Sequence, residues 1–333
     1  MTVRRLGDAD RGLWERVARR CPYATYFHTW GWAELMATHH GATVAGQGFE
    51  LGDGLPAVLP LLAFRVRGVF QAYESMVPGV YGGPIAERPL TANEVEAILD
   101  LAIGRSGAGL RVFGNPYLEA FLAPADVADE FTHVIDLREG FDSVFRRFHT
   151  NHRRTYRAAA QSGLVVERAR TREDFRAYFG IYQLERQRWG MEAKTDDPFE
   201  LFAEIHRRAD PNVVLWLARL GERVVAGDLW LYWNQHNVGW HGAADPAFFH
   251  LHPTNFLITE ILRDACARGD RWCDLNPSGG SPGVVAFKDS FGVERWYFRH
   301  SERRGGALLR SRQRLQRFLR VQRRRIARAT RLE

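Results

Sequence analysis

The stretch W-C-D-L-N-P-S-G-G-S-P-G-V-V-A-F-K-D-S-F-G, residues 272–292, contains the features from which the fold and a site can be inferred. The apolar run at residues 272–275 predicts a short strand, and the Gly, Pro and Ser residues after it predict a loop. A short amphipathic segment carrying Phe287 and Lys288 follows. The strand therefore ends beside a loop and a cation, at the place where open α/β sheets hold functional groups.

Lys288 stands out because lysine is almost absent from this chain. Of 46 Lys and Arg residues, only Lys194 and Lys288 are lysines, and the other 44 are arginines. An ammonium is a compact charge with three rotatable donors, whereas a guanidinium is a broad planar fork. A lysine in such a chain can mark a position where a guanidinium does not fit. The alternative is a solvated surface lysine, as lone basic residues usually are.

Length and composition indicate a globular protein. The 333 residues are enough for two domains of ordinary size, and 45% apolar and 12% aromatic residues are typical of a packed interior. The apolar run at residues 55–64 is half a membrane span long and contains two prolines. Three scattered cysteines show no CxxC pair, which favours a reducing, cytoplasmic location. The pair His250-x-His252 is too short to indicate a metal site, and no metal is expected.

The order of the predicted elements repeats along the chain. Each half is predicted to contain helices, a hairpin, a further strand, a long helix and a strand. The first hairpin turns at Gly52-Asp53-Gly54 and the second at Leu220-Gly221-Glu222. We therefore expect an α/β protein of two duplicated units, residues 1–140 and 141–302, followed by a basic helix within residues 303–333.

This element order resembles the GNAT acyltransferase fold, and its doubled form resembles the Fem family of aminoacyltransferases and their FemAB-like relatives. Three stretches carry the resemblance: F-H-T-W-G-W-A-E-L at residues 27–35, F-H-T-N-H-R-R-T-Y-R-A-A-A-Q-S-G-L-V at residues 148–165, and residues 241–292. The resemblance covers most of residues 27–300. It implies two tandem GNAT-like domains, each a mixed sheet flanked by helices.

By this resemblance the protein is expected to transfer an amino acid from aminoacyl-tRNA to an amine acceptor, without a cofactor. The acceptor is a peptidoglycan precursor or a peptide-like metabolite. An ordinary GNAT holds the CoA pyrophosphate with backbone N–H groups of a Q/R-x-x-G-x-G/A loop. The corresponding residues 245–255 contain no glycine and two prolines, which lack the N–H. CoA is therefore disfavoured, and a CoA-dependent N-acyltransferase is the first alternative.

Three residues are candidates for catalysis. Lys288 can stabilise the oxyanion or the terminal phosphates of the donor. Asp274 is a candidate base and otherwise a loop cap, and Asn276 beside it is a candidate for substrate binding. His241 can accept the proton or be a structural histidine, and a further alternative is that the substrate itself accepts the proton. By the resemblance, Phe287 lies beside the tRNA acceptor end and stacks on its terminal base, with core packing as the alternative.

Five further residues are candidates for substrate binding. Arg153 and Arg154 belong to a predicted basic helical patch, which binds phosphates of tRNA or of a nucleotide-linked acceptor, or is a solvated face. Trp32, Tyr81 and Gly82 are expected to line an acceptor pocket. The alternative is that the glycine-rich residues 78–84 form only a tight turn.

The net charge of +7 is concentrated at one end. Residues 303–333 contain twelve Arg and one Glu, a contribution of +11, so the remaining 302 residues sum to −4. The predicted tail helix has a thin apolar stripe and Arg elsewhere. We expect it to contact RNA phosphates or an anionic membrane surface. A non-catalytic RNA- or membrane-binding protein is accordingly the second alternative.

Overall fold

The structure is a computed structural model that describes residues 3–66, 70–102, 109–189 and 196–303. The chain divides into two compact units. The first unit contains Met1–Tyr23, Phe27–Ala123 and Phe298–Glu333, and the second contains Ala24–Tyr26 and Pro124–Tyr297. The predicted C-terminal helix lies outside the described residues. In the described ranges, no helix combines the length and apolar character needed to cross a membrane.

The secondary structure is a mixture of short strands and helices. In chain order the strands are β1 (Arg4–Asp8), β2 (Thr43–Val44), β3 (Gln47–Glu50), β4 (Pro56–Leu59), β5 (Leu62–Val66), β6 (Phe70–Glu74), β7 (Ile85–Ala86), β8 (Leu110–Val112), β9 (Glu130–Asp136), β10 (Leu164–Arg168), β11 (Val213–Leu220), β12 (Arg223–Trp233), β13 (His236–Ala244), β14 (Trp272–Asp274), β15 (Glu294–Phe298) and β16 (Ser301–Arg303). The helices are α1 (Arg11–Arg20), α2 (Trp30–His40), α3 (Ala92–Leu101), α4 (Phe141–Arg147), α5 (Thr150–Ala160), α6 (Arg172–Trp189), α7 (Phe199–Arg208), α8 (Pro253–Ala267) and α9 (Pro282–Asp289).

The first unit contains two sheets, in the orders β1-β3-β4-β7 and β16-β8-β6-β5-β2. The predicted hairpin around Gly52-Asp53-Gly54 is present, but each of its arms is divided between the two sheets. β3 pairs with β4 in one sheet, and β2 pairs with β5 in the other. β6 and β8 are parallel and are connected through α3. A capping box begins α3: the Thr91 side chain accepts from the Glu94 amide, and the Glu94 carboxylate accepts from the Thr91 amide.

The second unit is built on one sheet of order β10-β11-β12-β13-β14-β9-β15. β10 to β13 are antiparallel neighbours, β13 and β14 are parallel, and β14 is antiparallel to β9. The predicted boundary at residue 140 therefore differs from the division in the structure. β9 precedes that boundary, but its backbone hydrogen bonds place it in the second unit.

Two helical layers cover opposite faces of the central strands of this sheet. α8 packs on β11, β12 and β13, where Leu257 and Ile261 join a core cluster with Trp230. α6 packs on the other face of β12 and β13, where Tyr178 lies directly over Gly227. A Cβ at Gly227 would lie 2.4 Å from the tyrosine ring, so only glycine allows this approach.

Candidate active site

A gap opens in the sheet of the second unit where the parallel strands β13 and β14 separate. Their pairing covers three residues of each strand and ends at the pair Val238 and Asp274. β13 continues to Ala244 beside β12, whereas the amide of Leu275 donates to the carbonyl of His133 in β9, at 2.9 Å. Because the two strands follow different neighbours, the edge of β13 beyond Val238 faces the gap instead of β14.

An irregularity in β13 lies beside this gap. Leu229 of β12 pairs with His241, and the next residue, Trp230, pairs with Gly239, so Trp240 is an extra residue in β13. Such a bulge bends the strand and increases its twist. It therefore contributes to the separation of β13 from β14.

Lys288 lies at this end of β14, as the sequence predicted for a cation following the strand. Its Nζ donates to the carbonyls of Asn276, at 2.7 Å, and Pro277, at 3.3 Å. Burial lowers the pKa of Lys288 to about 8, and the carboxylates of Asp274 and Asp228 oppose that shift. Within the residues that the structure describes, two of the three N–H donors of the ammonium are thus used, which leaves the third for a ligand.

The helix that carries Lys288 is fixed by its C-terminal end. The His149 amide donates to the Ser290 carbonyl at 2.9 Å, and Phe291 joins the core. Gly292 has a φ of 64°, and a Cβ there would lie 2.3 Å from the Arg147 carbonyl oxygen. This close backbone contact requires glycine and holds α9 against α4 and α5.

Asp274 is buried and shapes the loop after β14. Its Oδ1 accepts from the Thr132 hydroxyl at 2.5 Å and from the Asn276 amide at 2.7 Å. Asn276 itself has a φ of 62°, in the left-handed region that asparagine tolerates better than most residues. These contacts match the loop-cap alternative for Asp274, and Asn276 directs its carbonyl to Lys288.

His241 lies on the α6 face of β13. Its Nδ1 is 2.5 Å from the Tyr178 hydroxyl, and its Nε2 is 3.8 Å from the Asp197 carboxylate. Burial lowers the pKa of His241, although Asp197 acts in the opposite direction. The imidazole is therefore neutral and enclosed by the Tyr182 and Phe202 rings.

Two carboxylates at the gap were absent from the sequence prediction. Asp228, on β12, is 8% exposed and lies across from Gly242. Glu185, on α6, is also 8% exposed and accepts from the Ala244 amide at 3.0 Å, at the edge of β13. The signal for Asp228 was in the sequence, since A-G-D-L-W-L places a carboxylate inside an apolar strand, where its burial is costly. Glu185 gave no such signal, because α6 carries many other charges.

The predicted phosphate-binding arginines have different surroundings. The predicted basic helical patch is divided between two helices, α4 and α5, which meet at a corner at Phe148. Arg153 donates to the carbonyls of Arg146 and Phe148 and so closes the C-terminal end of α4. Arg154 is exposed and bonds to Asn151 at 2.9 Å. Their phosphate-binding role stays a prediction, and Arg154 is the better placed of the two.

The predicted stacking residue Phe287 is half-buried on α9. Its ring lies 5.3 Å from Phe291 and 6.5 Å from His152. It packs at the margin of the core, so both the stacking role and the core role agree with its position.

The predicted acceptor-pocket residues lie in the core of the first unit. Trp32 and Tyr81 are 0% exposed, and Phe27 lies between them, with ring centroids at 5.2 and 5.7 Å. A Cβ at Gly82 would lie 2.0 Å from the Ser75 carbonyl oxygen. The structure thus explains this segment as tight packing, and an acceptor-binding role stays a prediction.

No metal-binding grouping of three or more His, Cys, Asp or Glu side chains occurs in the part of the chain that the structure describes. A void of about 460 Å³ lies at the opposite end of β14, between Arg138, Gln235 and Arg271. None of the candidate residues at the gap lines it, so this void and the chemistry of the gap are separate features.

The comparisons with known proteins agree with this architecture. A family model described as an acetyltransferase (GNAT) domain matches residues 146–289. The fold is similar to that of FemX, with a TM-score of 0.68 and 15% identity over 91% of this chain and 97% of that chain. It is also similar to the C-terminal domain of a putative lysylphosphatidylglycerol synthetase from Agrobacterium fabrum, with a TM-score of 0.52 and 10% identity over 89% of this chain and 92% of that chain. No match was found among curated proteins.

The FemAB-like resemblance and the tandem GNAT-type α/β fold predicted from the sequence are therefore confirmed as a fold. The GNAT domain match begins before β10 and ends with α9, so it includes the gap and Lys288. The domain match and the fold together support an acyltransferase, with the gap as its candidate active site.

Proposed function

We propose that this protein forms an amide bond by transferring an aminoacyl group from aminoacyl-tRNA to an amine. The observation that carries the proposal is the position of Lys288, which holds a half-buried ammonium with one unused donor at the gap between β13 and β14. The choice of donor is supported by the similarity to FemX over 91% of the chain. It agrees with the resemblance of the sequence to the Fem family, which implies an aminoacyl-tRNA donor.

The chemistry requires little beyond orientation and charge, because an aminoacyl ester is already activated. The amine attacks the ester carbonyl, a C–N bond forms, the C–O bond to the terminal ribose breaks, and one amine proton passes to the leaving ribose oxygen. Negative charge develops on the carbonyl oxygen, and Lys288 can stabilise it with the unused N–H. The partial burial of the ammonium strengthens this interaction relative to that in water.

The segment before α8 favours a donor other than CoA. Its amides are used within a tight turn: Ala247 donates to the Asp245 carboxylate at 3.0 Å, and Phe248 to the Asp245 carbonyl at 2.9 Å. Pro253 begins α8 and has no N–H. Few amides therefore remain there for a pyrophosphate.

A CoA-dependent N-acyltransferase is the second candidate, because the matching family model is that of an acetyltransferase domain. The acceptor we propose for either donor is the amine of a cell-wall precursor or of a peptide-like metabolite. The second structural relative described above is named as a putative synthetase of lysylphosphatidylglycerol, so a lipid amine also belongs in the assay panel.

A transfer assay distinguishes the two donors. Mixed charged tRNA and acetyl-CoA are each incubated with a panel of amines, with and without RNase, and amide products are measured by mass spectrometry. RNase-sensitive amide formation that falls in Lys288→Ala, but not in the surface control Arg11→Ala, supports the proposal. Transfer from acetyl-CoA alone contradicts it and favours the second candidate.

A further inference from the structure

Asp228 is a buried carboxylate, and a glycine on the neighbouring strand leaves space for it. It pairs across the strands with Gly242 of β13, in the part of β13 that has left β14. A Cβ at Gly242 would lie 2.6 Å from the Asp228 Oδ2, closer than such atoms can approach. The absence of a side chain at Gly242 therefore lets the carboxylate lie over β13, on the strand that borders the gap.

Within the described residues, the Asp228 carboxylate has a donor beside it in Trp230. The indole of Trp230, two residues further along β12, favours the ionised carboxyl, but its Nε1 completes no hydrogen bond. The other candidate proton acceptors are engaged. Asp274 accepts from Thr132 and Asn276, and the His241 Nδ1 contacts Tyr178.

Glu185 is engaged as well. One of its carboxylate oxygens accepts from the Ala244 amide, and the other from Arg188, at 3.0 Å each. A carboxylate has about four lone-pair positions, and the single N–H of the Trp230 indole can fill at most one of those of Asp228. A buried carboxylate with so few donors is costly, and a substrate that brings a proton donor would reduce that cost.

We propose that Asp228 is the group that takes the proton from the attacking amine. This inference rests on the proposed amide-forming function. As the C–N bond forms, one N–H proton moves to an Asp228 oxygen while Lys288 faces the developing oxyanion. As the ester C–O bond breaks, that proton passes to the leaving ribose oxygen, which restores the carboxylate and leaves a neutral amide and a hydroxyl.

The electrostatic surroundings suit this role. Burial raises the pKa of Asp228 to about 8, Lys288 opposes the shift, and Glu185 adds to it. Tyr178 and Cys273 also lie near enough for the Asp228 charge to raise their own pKa values. A base is most effective when its pKa is near the working pH, and an ordinary aspartate would be too weak.

The test is Asp228→Asn, with Asp270→Asn as a matched control outside the gap. With an alkylamine acceptor at pH 7.5, Asp228→Asn should reduce kcat/KM by about 100-fold or more, which is the magnitude expected for the loss of a general base. With hydroxylamine, a far less basic nucleophile that attacks in its neutral form, the loss should shrink to a few-fold after subtraction of the uncatalysed reaction. A loss of under threefold with the alkylamine, or equal losses with both nucleophiles, overturns the proposal.

A second measurement does not depend on the donor or on activity. Because the chain has only two lysines, reductive ¹³C-methylation gives few lysine NMR signals, and Lys288→Arg identifies that of Lys288. Removing the Asp228 charge should lower the pKa of Lys288, since the carboxylate favours the ammonium. An unchanged titration overturns the placement of Asp228 at the gap. A lowered one, with no transfer from either donor, rejects the proposed function while retaining that placement.

Discussion

Replacing Lys288 with Met tests two properties separately: the free-energy cost of burying the ammonium and the contribution of the ammonium to transfer activity. The pKa of Lys288 falls from 10.5 to about 8 on folding. The difference, 10.5 minus 8, corresponds to about 3 kcal/mol at roughly 1.4 kcal/mol per pK unit. Because the folded-state pKa is the lower one, the charged lysine destabilises the fold below pH 8. That cost disappears as the pH rises from 8 to 10.5.

We therefore expect the unfolding free energy of the wild type to rise, relative to Lys288→Met, by up to about 3 kcal/mol between pH 7 and pH 10.5. At pH 7 the two proteins should differ by only about 1 kcal/mol. Methionine removes the burial cost, but it also deletes the hydrogen bonds to the Asn276 and Pro277 carbonyls, each worth about 1 kcal/mol. Transfer activity should nevertheless fall by roughly 100- to 1,000-fold, as for the loss of an oxyanion donor.

The assay is urea unfolding followed by tryptophan fluorescence at pH 7, 8.5, 9.5 and 10.5. Arg154→Met is the control, because it removes a cation that is already exposed to water in the folded protein. Parallel stability curves for the wild type and Lys288→Met would refute the reasoning, since they would mean that the ammonium is as well solvated in the folded protein as in the unfolded chain.

Three other perturbations test separate parts of the structure. Gly242→Ala should displace the Asp228 carboxylate and lower kcat by about 10- to 100-fold, whereas Gly180→Ala, with open space around its Cβ, should leave kcat unchanged in the same assay. Glu94→Gln should cost up to about 3 kcal/mol at neutral pH, because an arginine holds the Glu94 pKa at about 2. That contribution is complete above pH 4.5 and disappears as the pH falls towards 2, so acid titration of unfolding would show a convergence of variant and wild type. Arg154→Gln should reduce the salt dependence of tRNA binding by about one phosphate contact. An unchanged slope of the binding constant against salt concentration in filter-binding assays would show that Arg154 does not contact tRNA phosphates.

The sequence predicted the order of elements well wherever local chemistry decides it. Thr91 with Glu94, the Leu220-Gly221-Glu222 turn and the position of Lys288 after its strand all depend on residues close together in the chain. The placement of β9 could not be predicted in the same way. Its pairing with β14 is a contact between residues more than a hundred positions apart, and no local pattern specifies it.

The candidate site was only partly predicted, because some of its residues are close in the chain and others meet only in the folded sheet. Lys288 and Asp274 belong to one continuous stretch, so their proximity could be inferred from spacing. Asp228 and Gly242 meet only through the register of β12 and β13, where a one-residue change would turn each side chain to the other face. Likewise, nothing in the spacing of Arg153 shows that its guanidinium is occupied by the carbonyls that end α4.

The position of β9 also bears on how the second unit is assembled on the ribosome. β9 lies between β14 and β15 in the sheet, yet it is synthesised more than a hundred residues before either of them. It must therefore wait, with both edges unpaired, until residues 272–298 have been made. α9, which carries Lys288, lies between those two late strands in the chain. Closure of the sheet and completion of the candidate site should thus be the same late event, so a nascent chain stalled before residue 272 would hold a hydrophobic, aggregation-prone strand and an incomplete site.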